Sequence, residues 1–177
     1  MKSQFTKGIA EGTVGVVAFY DPLIDSERDF EGPIFEYIFH FSPDNKKMII
    51  SDTGWKGILS TMVGVIEHEL LHRTQARNRK FKLKRAFTKY ESKAENVQAE
   101  QGYLGDSDEI EAYALSSARE IVAAAGNKED ALKSLRNFTK LKDVSPGLFM
   151  YMRAFGSPKH PVIKKVLKKI VLFINSS

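Results

Sequence analysis

Cysteine is absent from the 177 residues, so neither a disulfide framework nor a thiolate metal site is available to this chain. No apolar run is long enough to cross a bilayer, and no transmembrane segment is expected. The opening residues lack the hydrophobic segment and small-residue cleavage site of a signal peptide, so an intracellular protein is expected. Internal repeats, low-complexity tracts and convincing linkers are missing too. With 42% hydrophobic content, residues 1–177 read as one globular domain with a sizeable core. The net charge of +5 permits acidic partners or nucleic acid without demanding them. Histidine is scarce at four residues, yet two of the four fall within a single stretch.

That stretch is Val65-Ile66-Glu67-His68-Glu69-Leu70-Leu71-His72, which contains His-Glu-x-x-His. On an α-helix, positions i and i+4 lie on one face a turn apart, so both imidazoles can reach one metal ion. Glu69 projects from the neighbouring edge of that face. Two histidines and a third protein ligand leave zinc one position for water and lower the water's pKa toward about 7. A carboxylate beside that water can take its proton as hydroxide attacks a carbonyl. The surroundings favour a helix: Lys56 to Ala76 holds no proline, and Ile58, Leu59, Met62, Val63, Ile66 and Leu70 form one apolar arc. That arc is expected to press into a core while His68, Glu69 and His72 face a cleft. The plainer alternative is a pair of ordinary exposed helix histidines.

Upstream, Thr13–Tyr20 and Ile34–Phe41 have the β-branched and aromatic composition of strands, separated by an acidic, proline-broken loop over 21–33. Ser42-Pro43-Asp44-Asn45 is a turn signal, so Lys47–Ser51 is expected to return as the second arm of a hairpin. Asp52 or Thr53 then caps the motif helix. His40, on the first arm, is read as structural, with a metal role as the alternative. An exposed strand edge here would pair with extended peptide.

Downstream, Arg73, Arg77, Arg79, Lys80, Lys82, Lys84, Arg85, Lys89 and Lys93 face only Glu91, with Phe81, Phe87 and Tyr90 interleaved. This basic run over 73–93 can bind nucleic-acid phosphates and stack on bases. Its plainer reading is a solvated segment that finds its counter-charge in the acidic stretch 95–111. A helix beginning at Ser107 or Asp108 carries Ile110, Ala114, Ala118, Ile121, Val122 and Ala125 on one face. Further helices follow over 127–141, over 148–155 and from Pro161 to Asn175. The last has an apolar stripe and a lysine face suited to a membrane surface or partner groove, or simply to packing on its own domain.

His68-Glu69-Leu70-Leu71-His72 followed by Glu109-Ile110-Glu111-Ala112-Tyr113-Ala114 resembles the gluzincin type of zinc metallopeptidase. The likeness covers under a third of the chain and is closest to the minimal zincins of phages and bacteria. It implies zinc (Zn2+), peptide hydrolysis, and a third ligand from a glutamate on a later helix. Glu109 matches the leading glutamate of that pattern, with Ala112 three residues on, and lies away from the apolar arc. Glu111 is the alternative. The departure is Tyr113, which stands where an aspartate often supports a ligand histidine; it is open to packing or to an oxyanion-donor role.

The expected fold is α+β and zincin-like: a short N-terminal antiparallel sheet packed on the motif helix, then a helical C-terminal half. The expected function is a zinc metallopeptidase acting on a protein or peptide substrate. His68, His72 and Glu109 would hold the metal and Glu69 would serve as general base. The alternative is a zincin-scaffold binding or structural protein, associated with nucleic acid or a virion. The expected location is the cytoplasm, or a host cytoplasm or virion for a phage-encoded chain.

Overall fold

A computed structural model describes residues 14–26, 35–41, 50–82, 97–141 and 143–176. The chain divides into two compact units, Met1–Lys82 and Leu83–Ser177. The described residues are mostly helical, with one small antiparallel sheet, so the α+β expectation holds at that level.

In the first unit, β1 (Val14–Tyr20) pairs antiparallel with β2 (Phe35–Phe41), from Val14 opposite Phe41 to Tyr20 opposite Phe35. The expected partner of β2 was Lys47–Ser51. Residues 47–49 lie outside those described, and Ile50 and Ser51 are not in a strand. Ser51 is used instead to start the next helix. Its hydroxyl accepts from Gly54 N at 3.1 Å, so the N-cap is Ser51 rather than Asp52 or Thr53. The expected loop after β1 contains a short helix, α1 (Pro22–Ser26). Asp21 Oδ1 accepts from the amides of Leu23 and Ile24, and Pro22 brings a φ already suited to a first helical turn.

The motif helix α2 runs over Asp52–Asn78, longer at both ends than its apolar spacing suggests. It stops in two left-handed residues, Lys80 (φ 52°) and Phe81 (φ 56°), with Phe81 N donating to Ala76 O at 2.8 Å. Each costs about 1–2 kcal/mol without glycine. Only half of the apolar arc is covered: Ile58, Met62 and Ile66 are half-buried, Leu59, Val63 and Leu70 are exposed, and the buried residues of α2 are Gln75 and Ala76. β1 packs on this helix, and α1 is tied to its last turns through Asp25.

That tie is an ion cluster around one buried carboxylate. Asp25, its side chain 3% exposed, accepts from Nε and Nη2 of Arg73 (3.0 and 3.1 Å) and from the same atoms of Arg77 (3.2 and 3.1 Å). Tyr20 Oη donates to the same carboxylate at 3.0 Å. Arg73 also lies over the Phe35 ring, which itself sits 5.5 Å from Tyr20. The Arg73 guanidinium holds the Asp25 carboxyl well below the usual carboxylate range despite its burial.

In the second unit, α3 (Val97–Leu104), α4 (Ser107–Ala125), α5 (Lys128–Ser134), α6 (Phe138–Leu141), α7 (Pro146–Phe155) and α8 (Pro161–Ser176) surround one core. Its centre is α4 on α8: Ile110, Ala114, Ala118 and Ile121 bury with Ile163, Val166, Ile170 and Ile174. Alanines on α4 let the branched side chains of α8 approach closely. Asp106, not Ser107 or Asp108, caps α4, accepting from Asp108 N at 2.7 Å. Gly126 ends it at φ 80°, a conformation that costs glycine little. The helix expected over 127–141 is broken after Ser134, where Arg136 N and Asn137 N turn back to Lys133 O and Ser134 O. On α7, capped by Ser145, a Cβ at Gly147 would stand 3.1 Å from Ser117 Oγ and 3.2 Å from the Tyr113 ring. Only glycine lets α7 and α4 approach this closely without displacing them.

Candidate metal centre

His68 and His72 stand one turn apart on α2, both half-buried, with ring centroids 4.7 Å apart and planes at 77°. Their Nε2 atoms approach to 3.1 Å. The other nitrogen of His72, Nδ1, lies 2.9 Å from Oε1 of Gln75 one turn further on. Where Nδ1 carries the proton, the Gln75 carbonyl accepts it and Nε2 keeps the lone pair. A tetrahedral zinc ion about 2.0–2.1 Å from each of two imidazole nitrogens sets them about 3.3 Å apart. The observed convergence fits such an ion. Glu69 follows His68 directly, half-buried on the same helix.

Glu109 occupies the third position of α4 and is buried. Two tyrosines meet it: Tyr103 at the end of α3 hydrogen-bonds to both Glu109 and Tyr113. Tyr103 as a residue is 37% exposed. Burial, then the nearby Tyr113 and Glu109, push this phenol far above its ordinary value, so it stays a donor. Tyr151, fully buried and edge-on to Tyr113 at 5.8 Å, is raised likewise by burial and by the charge of Glu109. Tyr113 thus packs within this aromatic group. Glu111 points elsewhere: its Oε1 accepts from Lys169 Nζ of α8 at 2.7 Å.

His40 lies on β2 opposite Gly15. Of the basic run, Arg73 and Arg77 are committed to Asp25 rather than to an open face, and residues 83–93 lie outside those described. Gln75 was missed by sequence reasoning, although its spacing of three from His72 places it on the neighbouring turn of the same face. Tyr103 was missed because α3 lies in a stretch that reads only as acidic. No helix among the described residues is long and apolar enough to cross a membrane. No family model matches the chain, nor does any curated protein or solved structure.

Proposed function

We propose that this chain is a zinc-dependent metallopeptidase of the gluzincin type with a zincin-like fold. The observation that carries the reading is the convergence of His68 Nε2 and His72 Nε2, with the far nitrogen of His72 already anchored on Gln75. His68, His72 and Glu109 are a donor set that could hold a metal ion. Two neutral imidazoles and one carboxylate suit zinc and leave it a position for water. When bound, zinc supplies an acidified water with a pKa near about 7. Glu69 accepts the proton of that water and passes it to the leaving amine. Tyr103 holds the Glu109 carboxylate in place by hydrogen bonding. Extended peptide is the substrate class, since each strand of the two-stranded sheet has an edge that no described strand occupies.

The test compares wild type with Glu69→Gln for zinc content and for cleavage of an unfolded protein such as casein. Amide and carboxylate are nearly isosteric, but only the carboxylate accepts a proton at neutral pH. The variant should retain zinc while losing at least about 10²-fold in rate, the lower end for general-base catalysis. Zinc-bound variant and wild type cleaving equally fast would remove Glu69 as base. Stoichiometric zinc in wild type without chelator-sensitive cleavage of any peptide would favour a binding or structural role on the same scaffold.

A further inference from the structure

The site as read from sequence has no residue to orient its histidines, because Tyr113 stands where a supporting aspartate would be. We propose that Gln75 fills that role for His72: by accepting from Nδ1–H it fixes the tautomer and aims the Nε2 lone pair at the metal position. The inference rests on the metal-centre reading above but is tested partly without metal. Four observations carry it. The Nδ1–Oε1 distance is 2.9 Å, inside the range of a good hydrogen bond. Gln75 is buried, unlike most of α2, so its amide is held in a constrained setting. The two residues share one helix three positions apart, so the pair is set by local geometry. Finally, the nitrogen left free of that bond is the one that converges on His68 Nε2 at 3.1 Å.

The chemistry has a consequence. A carboxylate in this position would draw the imidazole proton strongly and make Nε2 more basic, whereas a neutral amide orients the ring with little added basicity. Gln75 is therefore a positioning residue that sets geometry without adding a negative charge to the helix that carries Glu69. Gln75→Glu should keep the tautomer and bind zinc at least as tightly as wild type. Gln75→Leu, similar in volume but unable to accept, should lose about 10- to 100-fold in zinc affinity, the cost usual for removing an outer-shell partner.

The experiment is long-range ¹H–¹⁵N correlation of the histidine rings in the metal-free chain at a pH where they are neutral, followed by titration with zinc. Wild type should show His72 as the Nδ1–H tautomer, Gln75→Leu a mixture, and Gln75→Glu the wild-type pattern, with backbone amide spectra showing each variant folded. An Nε2–H tautomer for His72 in wild type overturns the proposal, as does Gln75→Leu with unchanged tautomer and unchanged zinc affinity. If wild type shows the Nδ1–H form but binds no zinc, the metal-centre reading fails instead, and Gln75 orients His72 for some other purpose. Because the wild-type tautomer needs no variant, a misfolded Gln75→Leu would not protect the idea.

Discussion

Glu109 and Glu111 are two positions apart on α4, so about 200° of helix separates their side chains. One is buried beside Tyr103, Tyr113 and Tyr151, and the other is paired with Lys169. Glu109→Ala should therefore weaken zinc binding far more than Glu111→Ala. The latter removes a part-exposed ion pair with Lys169, a contact of a kind worth no more than about 1 kcal/mol. Metal titration of the two variants settles the order, and the reverse ranking would move the ligand to Glu111. By the same logic His68→Ala or His72→Ala should abolish stoichiometric zinc, since two remaining ligands hold the ion poorly. Full occupancy in the double alanine variant, measured by elemental analysis, would remove the site. The histidine pair is legible in the sequence because i, i+4 spacing on one helix is a purely local fact. Gln75 was equally local but is not part of a familiar pattern. Tyr103 was not legible, because its closeness to Glu109 depends on α3 folding back beside α4.

At the scale of the element, periodicity worked where burial followed it. On α4 and α8 the apolar positions spaced at 3–4 residues are the buried ones. On α2 the same spacing held only in part: Ile58, Met62 and Ile66 are half-buried but Leu59, Val63 and Leu70 are exposed, while the helix is gripped at its polar Arg73–Arg77 turn. Hydrophobic pattern has no means of announcing that an aspartate 48 residues upstream will be buried against two arginines. This cluster makes a pH prediction. Asp25 is held below the usual carboxylate range, first by its hydrogen bonds from Arg73. Its contribution is thus fully present above the unfolded aspartate value of about 3.9 and fades as pH falls below it toward the lower folded value. Asp25→Asn should destabilise the first unit at pH 7 by about 2 kcal/mol. That is below the 3–5 kcal/mol typical of a fully buried pair, because Arg77 is half exposed and can rehydrate. The gap between wild type and variant should then narrow steadily below about pH 4. Chemical denaturation at pH 7 and pH 3 checks both claims; a gap that widens toward acid would mean the carboxylate is not the stabilising species.

For the whole molecule, His68 and His72 belong to the unit ending at Lys82 and Glu109 to the unit beginning at Leu83. The coarse plan, a small sheet before a helical half, was legible because strand and helix signals are local; the division into two units was not, since it depends on which contacts form. The proposed site makes a thermodynamic demand on these units. A ligand that binds only the folded state stabilises it by RT ln(1 + [L]/Kd), about 2.7 kcal/mol at a free concentration of 100 Kd. If His68, His72 and Glu109 bind one ion, both units must be folded for full affinity, so zinc should slow opening in each. Segment-resolved hydrogen exchange with and without zinc measures this directly. Peptides from α2 and from α4 should both gain protection, by up to about 100-fold at that zinc concentration where exchange proceeds through opening of the metal-binding fold. Glu109→Ala should confine any remaining gain to α2, because the two histidines alone would then carry the metal. Protection confined to α2 in wild type would show that Glu109 is not a ligand. The zinc would then belong to the first unit alone, and the gluzincin reading would lose the residue on which its likeness most depends.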